Sequence, residues 1–545
     1  HAFKFFKKKN QTLIGKFSGK GFKITTENCF SALIFSFIAG YTLLALAPVT
    51  SADSLDYHMG VPIHILNTGF IHTTPEWFHS RLSGSGEALN ALALSVGAEQ
   101  FGSLLQFMGL IAVVGLIYRT ERNNNDLLQN EVIPISLLIL FILSSPVMIF
   151  LIGTSKFQLL PVSMTTLALS LIVFPSRRKL TSVQAIKGFS LICILVMVAS
   201  QIKINYFLSG GILGLIALLI MFKKKLIWQS IGVGVAASLI ILLPVAAIKS
   251  DIYQSTYFAA LLTPFPGNLP GIDIFESSIR QGRDSEMFFP FSLIIPSGMG
   301  TITTILGIGL TSIIFLKPFS DKWLTLMFIT SILVFSFTAI LGPKNSRSYL
   351  EPYFWVMIII SLQNKNVMYI YFRKYINPLA LIQSVLVLFI CWYGVFSLFP
   401  GAISASWRKD IMNRTANGYS LMKWVDNTLP KDSVLLTTHR SMALIPRKTV
   451  SLEWLNYTKL GSYDVSYYLN RIKEQNVTHL LIIGEVANQA SEYKLFSDCL
   501  GKEIIGPGYG FIATRNPFNR GPAYRAWLVD FNTKKLPGCF TKKLK

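Results

Sequence analysis

Charged residues are scarce in this chain. Only 14% of its 545 residues are Asp, Glu, Lys or Arg, whereas 51% are hydrophobic, and the mean hydropathy is +0.49. An ordinary soluble domain carries about 25% charged residues, so the composition excludes that class and predicts an integral membrane protein. Acidic residues are the rarest charges, with 27 against 50 basic ones. Because the basic residues are scattered over short loops, we expect membrane lipids as partners and no nucleic acid.

Long apolar runs predict a polytopic α-helical membrane protein with about eleven transmembrane helices. Three parts follow from this reading: a basic cytoplasmic segment (1–29), a transmembrane domain (30–399) with a long first outer loop (48–100), and an outer domain (400–545). The predicted spans are Phe30–Ala47, Phe101–Tyr118, Val132–Gly153, Phe157–Phe174, Phe189–Ile204, Gly211–Phe222, Ile227–Ile248, Phe291–Leu316, Trp323–Leu341, Tyr353–Leu362 and Asn377–Phe399.

Lysine and arginine mark one side of the membrane. They crowd the first 25 residues and recur in alternate loops, for example at Lys223, Lys224 and Lys225. The positive-inside rule makes this side cytoplasmic, which places the first long loop and the C-terminal part outside. We therefore expect a multi-pass protein of a bacterial cytoplasmic membrane, with its N-terminus inside and its C-terminal domain outside.

The C-terminal part alternates between strand and helix patterns, which predicts a small α/β domain with a partly parallel sheet. We expect strands at Ser433–Thr438, His479–Gly484 and Gly508–Thr514, and helices at Gly418–Thr428, Tyr463–Glu474 and Asn488–Leu500. Two of the chain's five cysteines, Cys499 and Cys539, fall in this outer domain and are candidates for a disulfide. The other three lie in or beside the predicted spans, where a lone Cys is usually a packing residue.

A short acidic and aromatic stretch, Asp53-Ser54-Leu55-Asp56-Tyr57-His58, follows the first span. Two carboxylates at the mouth of a membrane helix are costly unless they are solvated, paired or functional. The same loop also holds four of the seven histidines of the chain. Their spacings of six to eight residues do not bring them onto one helical turn, so a site of His ligands alone is the weaker interpretation and tolerated interfacial histidines the plainer one.

This stretch, followed by Pro62 and Asn67-x-Gly69, resembles the first outer loop of the type C (GT-C) glycosyltransferases. That superfamily includes protein O-mannosyltransferases, aminoarabinose transferases and oligosaccharyltransferases. The many-span body and the outer α/β tail fit the resemblance, although Met59-Gly60-Val61 stands where many relatives have Leu-Pro directly after the His.

The resemblance implies an enzyme that moves a hexose or pentose from a polyprenyl-phosphate donor to an acceptor lipid, glycan or protein. Asp53 matches the carboxylate that acts as general base or orients the acceptor, and Asp56, at a variable position, is the reserve. Tyr57 and His58 are expected to shape the pocket. Glu87 is a further binding candidate, with stabilisation of a helix N-terminus as its alternative role. GT-C families differ in their need for a divalent cation (Mg, Mn or Zn), so a metal at Asp53 and His58 stays open.

The leaving phosphate of such a donor needs positive charge. Five cations fall in predicted outer segments and are the candidates for it: Lys203, Arg280, Arg283, Lys344 and Arg347. Each has a plainer alternative, because the arginines can pair with nearby carboxylates and Lys203 can snorkel to lipid headgroups.

Three other functions compete with this interpretation. A transporter would need ionisable residues in mid-membrane, and the predicted spans hold almost none. A polysaccharide polymerase or ligase would also handle a lipid-linked donor, usually through an Arg-rich loop between later spans. A non-catalytic subunit of a membrane complex, and the oligomeric state, are open on sequence alone.

Overall fold

The computed structural model describes residues 26–70, 74–122, 133–176, 180–253, 255–263, 265, 267, 269–281, 289–317, 321–363, 367–458, 465–512 and 521–536. The first half of the membrane part contains helices α1 (Thr26–Ala45), α2 (Met59–Thr68), α3 (Ser85–Ser95), α4 (Phe101–Arg122), α5 (Ile135–Leu143), α6 (Val147–Ile152), α7 (Leu159–Ser176), α8 (Ser182–Ile202) and α9 (Tyr206–Lys223). The second half contains α10 (Ile227–Ile241), α11 (Leu243–Ile252), α12 (Tyr257–Leu262), α13 (Ile272–Gln281), α14 (Lys322–Leu341), α15 (Leu350–Ser361) and α16 (Val367–Leu398).

Within the described residues, six helices are long and apolar enough to cross a membrane, and the bent pair α10 and α11 would make a seventh. Two predicted spans differ from the structure. Val132–Gly153 is divided into α5 and α6, because Pro146 ends the first helix. Phe291–Leu316 is no continuous helix but three 3₁₀ segments, since Pro296 and several glycines interrupt it. The shorter helices α5, α7 and α15 are largely buried among these long ones.

The first outer loop is folded rather than extended. It runs from a π-helical turn (Ser54–His58) through α2 and a 3₁₀ turn (Phe78–Leu82) to α3. This loop contacts the C-terminal domain, because Leu55 shares an apolar cluster with Leu444, and Trp77 shares another with Met442.

The C-terminal domain begins after α17 (Pro400–Ile403) and α18 (Ala405–Thr415). Its helices are α19 (Tyr419–Thr428), α20 (Ser466–Glu474) and α21 (Ser491–Phe496), and its strands are β1 (Val434–Thr437), β2 (Lys448–Ser451), β3 (His479–Ile483), β4 (Leu500–Phe511) and β5 (Ala523–Phe531). The strand order is β2-β1-β3-β5-β4; β2, β1 and β3 are parallel, whereas β5 and β4 are antiparallel. The predicted partly parallel sheet is thus confirmed.

Apolar residues of the strands face two layers of helices. On one face, Leu435, Leu481 and Leu528 pack against α19. On the other, Leu436 and Leu480 pack with Trp454 and with α20. Cys499 is a disulfide cysteine, but its predicted partner Cys539 lies outside the described residues, so that pairing stays a prediction. The predicted helix Asn488–Leu500 is shorter in the structure, because β4 already begins at Leu500.

Candidate functional site

The π-helical turn after the first membrane helix positions the acidic residues Asp53 and Asp56. The Met59 amide donates to the Ser54 carbonyl, which is the wide i→i+5 bond of this conformation. The turn is held from the side by the Ser54 hydroxyl, which accepts a bond from the Ser155 amide at 3.2 Å. As a result, Asp56, Tyr57 and His58 are all buried, while Asp53, just before the turn, stays partly exposed.

Asp53 is surrounded by cations. Its Oδ2 accepts a hydrogen bond from Lys156 Nζ at 2.5 Å, and Arg440 Nη2 lies 3.8 Å from Oδ1. Burial works against ionisation, but Lys156, Arg347 and Arg440 together hold the pKa of Asp53 well below its usual range. Asp53 is therefore a stable anion beside partly open space.

Asp56 is fully buried, and both of its oxygens are occupied. Trp77 Nε1 donates to Oδ1 at 2.9 Å, and Arg440 Nε donates to Oδ2 at 2.8 Å with Nη2 at 2.6 Å. Burial raises the pKa of Asp56 to about 6, against the lowering effect of His79 and Arg440. With its lone pairs already engaged, Asp56 is better suited to organising the turn than to taking a proton from a substrate.

His58 and Glu87 form a buried pair. His58 Nδ1 lies 2.5 Å from Glu87 Oε1, and the Gly84 amide donates to Glu87 Oε2 at 2.6 Å. Glu87 therefore caps the N-terminus of α3, as predicted, and also binds His58. Burial lowers the pKa of His58, although Glu87 opposes this shift. The other ring nitrogen, Nε2, is buried without a hydrogen-bond partner among the described residues.

A pocket lined by three cations borders this pair. Arg81, Lys203 and Lys249 line it together with Ser83 and Gly84. Lys203 lies just beyond the end of α8, in the short break before α9, and its Nζ donates to Gln158 Oε1 at 2.5 Å. Burial lowers the pKa of Lys203 to about 7, and the nearby charges of Arg347 and Lys156 add to the effect. The pocket is suited to an anion.

Arg347 joins the same site through Gln158. The Arg347 carbonyl accepts from Gln158 Nε2 at 2.9 Å, and this nitrogen also donates to the Tyr206 hydroxyl at 2.5 Å. The charge of Arg347 acts on Asp53 and on Lys203. Of the predicted residues, the structure thus brings together Asp53, Asp56, Tyr57, His58, Glu87, Lys203 and Arg347.

For three of the predicted cations, Lys344, Arg280 and Arg283, the described residues show no contact with Asp53 or Asp56. Lys344 is exposed and lines a different pocket with Ser292 and Ser297. Arg280 belongs to α13, but its side chain is outside the described part of the chain, as is the whole of Arg283.

Several residues of the site were missed from the sequence. Lys156 could have been found, because it is an isolated charge between two apolar runs on the outer side. Arg440 could not, since it lies 384 positions from the residue that it binds. His79 and Glu453 form another contact between the first loop and the C-terminal domain, where the His79 amide also donates to Glu453 Oε2 at 3.0 Å.

The metal candidates Asp53 and His58 each have another partner, Lys156 and Glu87 respectively. Within the ranges that the structure describes, no group of three or more His, Cys, Asp or Glu side chains is arranged to hold a metal ion. A divalent cation at these two residues therefore stays a prediction.

The two parts of the chain match two linked family models. Residues 1–412 match the DUF1420 N-terminal domain, and residues 413–544 match the DUF1420 C-terminal domain. The chain belongs to the DUF1420 family. No curated protein matches this DUF1420 chain.

Solved structures share the fold of the DUF1420 chain. ArnT from Cupriavidus metallidurans bound to undecaprenyl phosphate is 11% identical with a TM-score of 0.55, and the match covers 92% of this chain and 97% of ArnT. The same protein in the apo state is 9% identical with a TM-score of 0.54, at the same coverage. At such identities the likeness concerns the fold alone, and it confirms the polytopic helical fold with a C-terminal α/β domain that the apolar runs and the strand and helix patterns predict.

Proposed function

We propose that this chain is a membrane glycosyltransferase that takes a sugar from a polyprenyl-phosphate carrier and passes it to an acceptor hydroxyl or amine at the outer face. One observation carries the proposal. Asp53, which Lys156 and Arg440 hold in its ionised form, lies close enough to a cation-lined pocket for its charge to oppose the lowering of the pKa of Lys203 in that pocket. Transfer from a sugar phosphate needs both: an acceptor for a proton, and positive charge for the departing phosphate.

In the proposed reaction, Asp53 accepts the proton of the acceptor O–H or N–H as that atom attacks the anomeric carbon. The bond between this carbon and the phosphate oxygen breaks, and its electron pair leaves with the carrier phosphate. Lys203 and Lys249, with Arg81 and Arg347, are assigned to hold the added negative charge. Tyr57, His58 and Glu87 are assigned to the wall of the sugar site.

The nature of the donor is supported by the fold. The similar ArnT structure contains undecaprenyl phosphate, which is a polyprenyl phosphate. A site at the outer face also favours a lipid-linked donor, because nucleotide sugars are scarce outside the cytoplasm. A hexose or a pentose, and a lipid, glycan or protein acceptor, all fit the proposal. In this proposal lysine and arginine side chains hold the phosphate, so activity should survive EDTA. Loss of activity in EDTA would instead favour a site in which Asp53 and His58 hold magnesium, manganese or zinc.

The test uses the full chain in lipid nanodiscs with a panel of radiolabelled undecaprenyl-phosphate hexoses and pentoses. We expect the wild type to release label from at least one donor, and Asp53→Asn to lower that rate by about 100-fold or more, since a general base contributes roughly 10²–10⁴-fold. Asp432→Asn is the matched control, because Asp432 is an exposed outer carboxylate of the C-terminal domain.

Binding separates chemistry from folding. Both Asp variants should still show a thermal shift with undecaprenyl phosphate, because the cations of the pocket are untouched. Full activity of Asp53→Asn would contradict the role of this carboxylate. A wild type that consumes no donor and shows no thermal shift would contradict the function itself, and would favour a non-catalytic subunit.

A further inference from the structure

Arg440 reaches the acidic turn from the other domain. It follows β1 in the loop that leads to β2, and it donates to Asp56 through Nε and Nη2 at 2.8 and 2.6 Å. The same Nη2 lies 3.8 Å from Asp53 Oδ1. One guanidinium therefore bridges two carboxylates of the first outer loop.

The loop that carries Arg440 is fixed from within its own domain. The neighbouring His439 is buried, its Nε2 lies 2.7 Å from the Tyr524 hydroxyl, and its Nδ1 accepts from the Ser441 amide at 3.1 Å. The His439 amide donates to Thr437 Oγ1 at 3.0 Å. A guanidinium on such a clamped loop presents its donors in one direction, which is what a bridging contact to two carboxylates requires.

We propose that Arg440 is a positioning residue through which the C-terminal domain completes the transferase site. This assignment rests on the function proposed above and names a further residue of that site. Residues 1–412 supply the reacting carboxylate and Lys156, and residues 413–544 supply Arg440, a further cation that bridges Asp53 and Asp56. Neither part contains the whole arrangement.

The physical reason is the repulsion between two nearby anions. Asp53 and Asp56 are three positions apart on one turn, and Asp56 has no access to water. Without Arg440, Asp56 would retain the Trp77 indole and the more distant His79, whose Nδ1 lies 4.0 Å away and which also contacts Glu453. Asp53 would retain Lys156 and the field of Arg347, but would lose one of its three cations. Tyr57 also lies within the electrostatic field of Asp53 and Asp56.

Loss of Arg440 should therefore make Asp53 harder to ionise. A nearby opposite charge lowers the pKa of a carboxylate, so removing the charge raises it. A base with a raised pKa is protonated, and inactive, at a higher pH than before. The acidic limb of the kcat/KM profile is then expected to move upward by about one pH unit.

The experiment compares Arg440→Gln and Arg440→Lys with Arg471→Gln. Arg471 also joins the C-terminal domain to the first loop, with Nε 3.6 Å from Glu76 Oε2, but it contacts neither Asp53 nor Asp56. We expect Arg440→Gln to lower kcat by about tenfold or more with little change in KM, and to move the acidic limb. Arg440→Lys should restore part of the kcat and move the acidic limb of the pH profile part of the way back. Arg471→Gln should leave that acidic limb where it is in the wild type.

A second measurement does not depend on turnover. In a thermal-denaturation cycle with Asp56→Asn, Arg440→Gln should lower the Tm much less in the Asn background than in the wild type, because the bond is already lost. Additive effects, or an unmoved acidic limb in an active Arg440→Gln variant, would overturn the role of Arg440 and leave the transferase proposal standing. A wild type that consumes no donor of the panel and shows no thermal shift with undecaprenyl phosphate would overturn both.

Discussion

Lys203 shows how much the chemistry of one side chain depends on its surroundings. Burial lowers its pKa to about 7, and the like charges of Arg347 and Lys156 act in the same direction. Its hydrogen bond to Gln158 fixes the ammonium but contributes no opposite charge. The side chain that we assign to the lipid phosphate therefore changes its charge near neutral pH, in contrast to an ordinary exposed lysine.

We predict that affinity for undecaprenyl phosphate falls as the pH is raised from 6 to 8. A group with a pKa near 7 is mostly charged at the lower pH and mostly neutral at the higher one, so an anion loses its partner as the pH rises. The expected loss is about tenfold, the cost of roughly one charge-assisted hydrogen bond. It can be measured by equilibrium binding in nanodiscs.

Lys203→Arg provides the control, because a guanidinium stays charged over this range. The Lys203→Arg variant also controls for ionisation of the ligand, because the second ionisation of the phosphate occurs near pH 6 and strengthens binding as the pH rises. An equal decline in Lys203→Arg and in the wild type would assign the effect to another group.

At the level of single residues, local context decided what could be predicted. Asp53 and His58 were candidates from the sequence because they stand together in a six-residue motif, and Lys203 and Arg347 because they are cations in predicted outer segments. Arg440 gave no local signal, since it is one of many basic residues in an outer domain and its importance comes from a contact across 384 positions. Glu453, which meets His79, was missed for the same reason.

At the scale of elements, α2 is the piece that joins the acidic turn to the rest of the molecule. A Cβ added at Gly60 would lie 2.7 Å from Trp77 Cη2 and 3.0 Å from Met442 Cβ. Trp77 is the donor to Asp56, and Met442 lies two positions after Arg440. The absence of a side chain at Gly60 thus allows three segments to meet around Asp56.

We predict that Gly60→Ala destabilises the protein, although alanine is the better helix former. The forced shift of Trp77 and Met442 should cost about 1–3 kcal/mol, which outweighs a gain of up to about 1 kcal/mol in helix propensity. Gly115→Ala in α4 is the matched control, because a Cβ there would meet nothing within 4 Å. Thermal denaturation should show a lower Tm for Gly60→Ala only. Similar shifts in the two variants would mean that the contact at Trp77 is not tight.

Elements with a clear hydrophobic period were predicted well from the sequence, and those without one were not. The strands β1 and β3 were found as short apolar runs, whereas β5 was missed because Ala523–Phe531 mixes charged and aromatic residues. Phe291–Leu316 failed for the opposite reason: its composition is that of a span, but Pro296 and the glycines at 298, 300, 307 and 309 prevent a continuous helix.

At the scale of the whole molecule, hydropathy predicts a helical membrane part, and the alternation of strand and helix patterns predicts an α/β domain after it; the fold contains both. What hydropathy does not contain is how the two parts meet. Their contacts in the described part of the chain include Arg440 with Asp56, Trp77 with Met442, His79 with Glu453, and Phe78 in one core with Trp454 and Tyr468. Each pairs residues far apart in sequence, which a pattern along the chain does not reveal.

The orientation of the whole chain can be tested by labelling. We predict that Lys431→Cys, in the C-terminal domain, reacts with a membrane-impermeant maleimide in intact bacterial spheroplasts. Lys224→Cys, after α9, should react only once the membrane is permeabilised, because the positive-inside rule predicts that the basic loops are cytoplasmic. Both lysines are exposed in the structure, so accessibility reports sidedness. The wild type gives the background of the native cysteines. Labelling of Lys224→Cys in intact spheroplasts would reverse the proposed topology.

The cation-lined pocket has one further property. Its lining also includes the apolar residues Val245, Ala246, Ala260 and Leu261, and the adjoining segments carry the exposed apolar residues Leu243, Ile248, Phe258 and Leu262. A lipid carrier that binds there keeps its tail in hydrocarbon and does not pass through water. Its occupancy is then set by its mole fraction among the lipids of the bilayer. Diluting the membranes with buffer leaves such a site as full as before, whereas diluting the carrier with other lipids empties it.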